Sequence, residues 1–316
     1  MKTVQTSFLS VGYLRNAVTL LKNVKQISKE KKVSYHTLLE IINTGDLSRE
    51  GTTLVLDYLI ELQILVLIES SQSSNHVEIF VEVSKKIAEV LDKEREVINR
   101  EMLWNYIEKI IPTWTRYLKH GIEKTKSGIS DTNVKQTFRE NGLFIDLEIH
   151  ADSQIMDWWN RAKQFSRQIE QSRKVEIGDH GELLTLEFET QRTSKKPKHV
   201  SLQSDSYGYD IISIINQNNE EELFIEVKTT SSGWNNGYIH ISSNEASKCE
   251  KLNSNYKFYL WNIRTKPFEL KIIEGKEMFV FFPLNQESGK WESVKIPLRE
   301  FNDSKVIQYP AMQKKG

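Results

Sequence analysis

A single cysteine, Cys249, occurs in 316 residues. That excludes an internal disulfide framework and any zinc site built on cysteines. The seven histidines form no His-x-x-x-His pair, so a histidine zinc site is not expected either. Long apolar runs are also missing. None approaches the roughly 20 residues needed to span a bilayer, and the longest, such as residues 223–228 and 278–284, are strand-sized. Residues 1–11 lack a long apolar segment followed by a small-residue cleavage site. A chain without membrane association and with a cytoplasmic address is therefore expected. Neither sign of charge is in excess, with 43 basic and 43 acidic residues, so binding to DNA would need a locally basic face. No Gly-Lys-Ser/Thr follows Gly178-x-x-Gly181, which excludes a P-loop, and no Gly-x-Ser-x-Gly elbow supports serine catalysis. Repeats of fixed period are absent, which argues against a solenoid or propeller.

What is present divides the chain in two. Leu14, Val18, Leu21 and Val24 recur at helical spacing over 11–27. A second helix is expected over 35–42, broken at Thr44-Gly45-Asp46, and a third follows Ser48, a good N-cap, with Leu54, Val55, Tyr58, Leu59 and Leu62. An apolar strand at 64–69, a polar turn at 70–75 and an alternating strand at 76–83 complete a helix–turn–helix–hairpin order. That order is the outline of a winged helix, expected over 1–95. The would-be recognition helix sets Arg49 against Glu50, Asp57 and Glu61, a poor face for phosphates. Residues 96–165 read as a helical connector whose Trp104, Trp114, Trp158 and Trp159 are core aromatics. A loop is expected at 126–131.

From Gly178 the pattern changes. Residues 179–188 read as a helix, 190–198 as a polar loop, and 199–202, 208–215 and 222–229 as strands, the last two forming an antiparallel hairpin. Glu226 and Lys228 share one face of the second strand, while Leu223, Ile225 and Val227 face a core. If Asn216 pairs with Glu220 at the turn, Asp210 stands opposite Glu226 with Lys228 diagonal to it. Two carboxylates and an ammonium would then converge beside solvent. Such a set suits metal-assisted phosphodiester hydrolysis. Asp210, Glu226 and the Val227 carbonyl supply hard oxygen ligands, and Lys228 orients water or stabilises charge on phosphorus. Glu-Val-Lys on its own is a weak signal, because on an amphipathic strand it is usually a solvated face.

The ordered set is richer than that triplet. Gly178-x-x-Gly181-Glu182, Gly208-Tyr209-Asp210-Ile211, Ile225-Glu226-Val227-Lys228-Thr229-Thr230 and Asn244-Glu245 together resemble the domain named for the C-terminus of the plant NO VEIN protein, over about residues 165–275. That domain is similar to the PD-(D/E)XK (restriction-endonuclease-like) superfamily. The resemblance implies a mixed β-sheet flanked by helices over 166–310, an α+β or α/β architecture, with 311–316 as a tail. It implies Asp210, Glu226 and Glu182 as metal-site carboxylates, Lys228 as catalytic lysine, Mg²⁺ or Mn²⁺ as cofactor and DNA as substrate, with Tyr209-Asp210 in place of the usual Pro-Asp. It leaves the role of Asn244 and Glu245 after a third core strand, 238–242, unsettled. It also extends to restriction or phage defence, with a partner subunit or a homodimer. Further strands are expected at 257–264, 268–273 and 278–283. Arg192, Lys195, Lys196 and Lys198 form a basic loop that reads either as a clamp on a DNA backbone or as a solvated surface loop. The competing readings are a nucleic-acid-binding protein or a scaffold carrying an inactive nuclease fold.

Overall fold

Six apolar residues of α1 (Val11–Ser28), from Leu14 to Val24, recur on one stripe and are buried. They join Val55, Leu56 and Leu59 of α2 (Arg49–Glu61) in the first core. The computed structural model describes residues 9–28, 33–35, 38, 49–71, 77–144, 152–202, 204–284 and 291–310. The expected helix over 35–42, its break at Gly45 and the Ser48 cap lie outside the described residues or only touch them. The chain divides into two units, Met1–Glu170 and Gln171–Gly316.

In the first unit β1 (Val33–Ser34) and β2 (Leu65–Ser71) both pair antiparallel with β3 (Val77–Val83), giving the order β1-β3-β2. Short α3 (Lys85–Ala88) leads into α4 (Arg95–Ile110). That helix stops where Ile111 takes a left-handed conformation ahead of Pro112, which cannot continue a helical ladder. A 3-10 segment, Thr113–His120, α5 (Ile122–Gly128) and α6 (Thr132–Glu140) follow. The loop expected at 126–131 is therefore partly helix. Asp131 caps α6 by accepting from the backbone N–H groups of Asn133 and Val134. The four tryptophans are buried among Phe138 and Phe165, as core aromatics should be.

One helix, α7 (Ser153–Thr193), replaces the expected start at 179. Gly178 and Gly181 do not interrupt it, since an interior glycine costs only about 1 kcal/mol. It also consumes the first residues of the expected 190–198 loop, ending where Ser194 turns left-handed.

The second unit is mixed α and β. Its sheet has the order β11-β9-β8-β6-β5-β4, from β4 (Lys198–His199), β5 (Ile211–Asn216), β6 (Asn219–Thr230), β8 (Tyr256–Asn262), β9 (Phe268–Glu274) and β11 (Ile307–Tyr309). Every neighbouring pair is antiparallel except β6 with β8. The crossover between those two passes through β7 (Tyr238–Ser242) and α8 (Ser243–Leu252). β7 was expected to be a core strand of the sheet. Instead it pairs with β10 (Ser293–Pro297) in a separate ribbon. Alternation along β6 then sorts two cores. Leu223, Ile225 and Val227 meet Leu184 of α7 on one side, while Phe224 packs towards the ribbon and α8 on the other.

Two further expectations are corrected. Residues 278–283 are not a strand: α9 (Gly275–Met278) and a 3-10 turn, Phe279–Phe281, occupy the region, started by a Glu274/Glu277 capping box. A short apolar run carries no period that separates helix from strand. At the β5–β6 turn Asn216 pairs with Asn219, not Glu220, and a bulge between Ile214 and Asn216 absorbs the difference. Beyond the bulge Ile211 faces Ile225, the register in which Asp210 meets Glu226.

Candidate metal and phosphodiester site

The carboxylates sit where two ladders end. β5 begins only at Ile211, so the N–H of Val227 has no strand partner there and donates instead to Asp210 Oδ2 at 2.7 Å. The N–H of Asp210 donates to the Ile225 carbonyl at 2.9 Å, pinning the residue against β6. Ahead of it Gly208 has φ +73°, and a Cβ there would press into Lys248 and Asn244. That glycine lets the chain turn onto the strand beneath α8.

Glu226 is only 3 % exposed. Lys228 Nζ donates to its Oε1 at 2.6 Å and to Glu245 Oε1 at 3.1 Å. Glu245 is held in turn: its Oε2 accepts the Ser242 N–H at 2.8 Å, while its own N–H donates to Ser242 Oγ. This reciprocal capping box opens α8. The Tyr256 hydroxyl donates to the Gly208 carbonyl at 2.7 Å and stands 3.5 Å from Glu226 Oε2. On α7, Glu182 Oε2 accepts from Ser201 Oγ at 2.6 Å and lies 2.6 Å from His199 Nε2. The helix comes this close because Gly181 has no side chain; a Cβ there would collide with Oγ1 of Thr229.

Asp210, Glu226, Lys228, Glu182, Asn244 and Glu245 thus line one polar cavity of about 420 Å³. Burial raises the Asp210 carboxyl to about 6, against the lowering effect of the Val227 N–H and Lys228. Burial also drives Glu226 well above the usual carboxylate range despite Lys228. For Lys228 burial pulls downward, but Glu226 and Glu245 outweigh it and raise the ammonium above its ordinary value.

The donor chemistry fits a hard divalent cation. Asp210 and Glu226 present oxygens, and in an extended strand the Val227 carbonyl leaves on the same edge as its N–H. Glu182 shares the cavity, but among the described residues no three acidic, histidine or cysteine side chains form a group that could hold a metal.

Residues 181–273 match the family described as Protein NO VEIN, C-terminal. The match covers under a third of the chain and spans every residue lining the cavity. No curated protein and no solved structure matches the chain. Among the described residues, no helix is long and apolar enough to cross a membrane.

The basic loop lies elsewhere. Arg192 spends its fork on Glu189, at 2.5 and 2.7 Å, and on the carbonyls of Ile214 and Ile215. Lys195 pairs with Glu220 and Lys198 with Glu222. With Lys196 they line a second cavity that shares none of its described lining residues with the first. Asn244 donates to the Ser206 carbonyl and so ties α8 to the segment before Gly208.

Sequence reasoning passed over His199, Ser201 and Tyr256. No spacing rule marks them, since each reaches its carboxylate through tertiary packing. The Ser242-x-x-Glu245 spacing, a capping-box signature, is the signal that could have placed Glu245 at a helix start, and it too was passed over.

Proposed function

We propose that the second unit is a metal-dependent nuclease of the PD-(D/E)XK, restriction-endonuclease-like kind that hydrolyses phosphodiester bonds in DNA. The observation that carries this reading is the convergence of Asp210, Glu226 and Lys228 in one polar cavity. Asp210, Glu226 and the Val227 carbonyl would hold Mg²⁺ or Mn²⁺, which supplies positive charge to the scissile phosphate and acidifies the attacking water. Lys228, held by Glu226 and Glu245, would orient the attacking water or donate its ammonium to the charge building on phosphorus. The Val227 N–H fixes the Asp210 carboxylate, and His199 and Ser201 hold one oxygen of Glu182. Lys195, Lys196 and Lys198 are read as backbone contacts; the commitment of Arg192 removes it from that set. The helices and three-stranded sheet of the first unit are read as a winged helix, and a role in restriction or phage defence extends the same reading.

The test is incubation of the full chain with plasmid and linear DNA, with Mg²⁺ or Mn²⁺ and with chelator. Metal-dependent cutting that vanishes in Asp210→Ala is the expected result; no cutting with either metal overturns the proposal. One observation favours a second reading, a DNA-binding or scaffold protein on an inactive nuclease fold: Lys228 closes directly on two of the cavity's carboxylates. DNA retention without cleavage in either metal would select it.

A further inference from the structure

α4 and α7 present facing stripes in the first unit. Lys93, just ahead of α4, and Val97, Arg100 and Glu101 within it recur at helical spacing, as do Gln154, Asp157, Trp158 and Arg161 on α7. Together these stripes line a polar cavity of about 370 Å³. Opposite charges across such a groove are expected to pair, and some do. Arg161 Nη1 meets Glu101 at 3.1 Å, and its guanidinium lies 3.9 Å from the Trp104 ring centroid.

Arg100 is different. It is 8 % exposed, yet its guanidinium donates only to the neutral Asn141 carbonyl at 3.1 Å and, at 3.5 Å, to Gln154 Oε1. Among the described residues it has no ion pair. A buried charge without a counter-charge is costly, and natural folds normally pair it. Setting aside the Arg161–Glu101 pair, the described residues lining the cavity set Lys93 and Arg100 against Asp157 alone. The surplus is one positive charge.

We infer that the cavity between α4 and α7 binds a phosphate group, free or carried on a small molecule, with Arg100 as its anchor and Lys93 at its rim. A guanidinium fork matches an oxyanion edge. A tetrahedral phosphate also leaves oxygens for an ammonium arriving from another direction, which a planar carboxylate serves less well. The inference is independent of the nuclease reading, since no residue of the Asp210 cavity takes part.

The test is titration of the full chain with inorganic phosphate, phenyl phosphate and acetate at matched ionic strength, followed by calorimetry and by melting temperature. Saturable binding of both phosphates is expected, weakened by about tenfold or more in Arg100→Gln, a loss of the size expected for one charge-assisted bond. Binding of inorganic phosphate alone would assign the site to the free ion, and tighter binding of phenyl phosphate to a group carried on an organic body; either supports the site. Because Arg100→Gln can disturb the fold, Lys93→Gln at an exposed position is the second variant, expected to weaken binding several-fold without lowering the melting temperature measured free of phosphate. The inference is overturned if no saturable binding occurs, if acetate binds as well as phosphate, or if both variants respond to phosphate as the wild type does. In that last case the effect is general salting of the surface.

Discussion

Asp210 binds its proton more tightly in the folded chain than a free aspartate does, because burial disfavours its charge. Its penalty on stability is complete above a pH of about 6, shrinks as pH falls, and is gone below the ordinary value of 3.8. Asp210→Asn should therefore stabilise the metal-free protein by about 1–3 kcal/mol near neutral pH and by almost nothing near about pH 4. Melting curves across that range in chelator check the sign; equal effects at both ends would remove the burial argument. Lys228 carries the opposite expectation. Its loss leaves Glu226 buried without its ammonium, so Lys228→Met should cost about 3 kcal/mol. If the cavity is catalytic, the same change should lower turnover about a hundredfold while DNA affinity moves by no more than about twofold. Single-turnover rates at saturating DNA, set beside binding isotherms, separate the two.

The glycine pair on α7 tests how the helix approaches the sheet. Nothing stands within 4 Å of a Cβ at Gly178, whereas one at Gly181 meets Thr229 on β6. Gly178→Ala should stabilise by about 0.5–1 kcal/mol, the ordinary helix-propensity gain. Gly181→Ala should destabilise by about 1–3 kcal/mol, because strand and helix must separate. Denaturant titration of both variants would show the opposite signs. The motif Gly178-x-x-Gly181-Glu182 was legible in the sequence, but the division of labour between its glycines was not. Only the packed distance to Thr229 distinguishes them.

For the whole molecule, 43 basic residues offset 43 acidic ones, so any DNA affinity must come from local clusters. Replacing Lys195, Lys196 and Lys198 with glutamine should flatten the logarithmic salt dependence of DNA binding by about one to three units, uniformly across sequences. Arg192→Gln should instead lower stability, since it strands the fully buried Glu189. Binding measured across a salt series, beside melting temperatures, discriminates the two roles. An unchanged slope in the lysine variant would leave that loop only its surface ion pairs, which are individually weak.

Local periodicity carried much of this protein. The two-residue repeat of β6 decided that Glu226 and Lys228 share a face and that Leu223, Ile225 and Val227 do not, because successive side chains alternate along any extended strand. Spacing within α1 likewise gave its buried stripe. Long-range contacts escaped it. Pairing of β7 with β10, the helical 275–281 segment and the hold of His199 and Ser201 on Glu182 depend on which surfaces meet in space. A period says which side chains face together along one element. It does not say which other element lies opposite, and that is settled by the burial of two faces against each other.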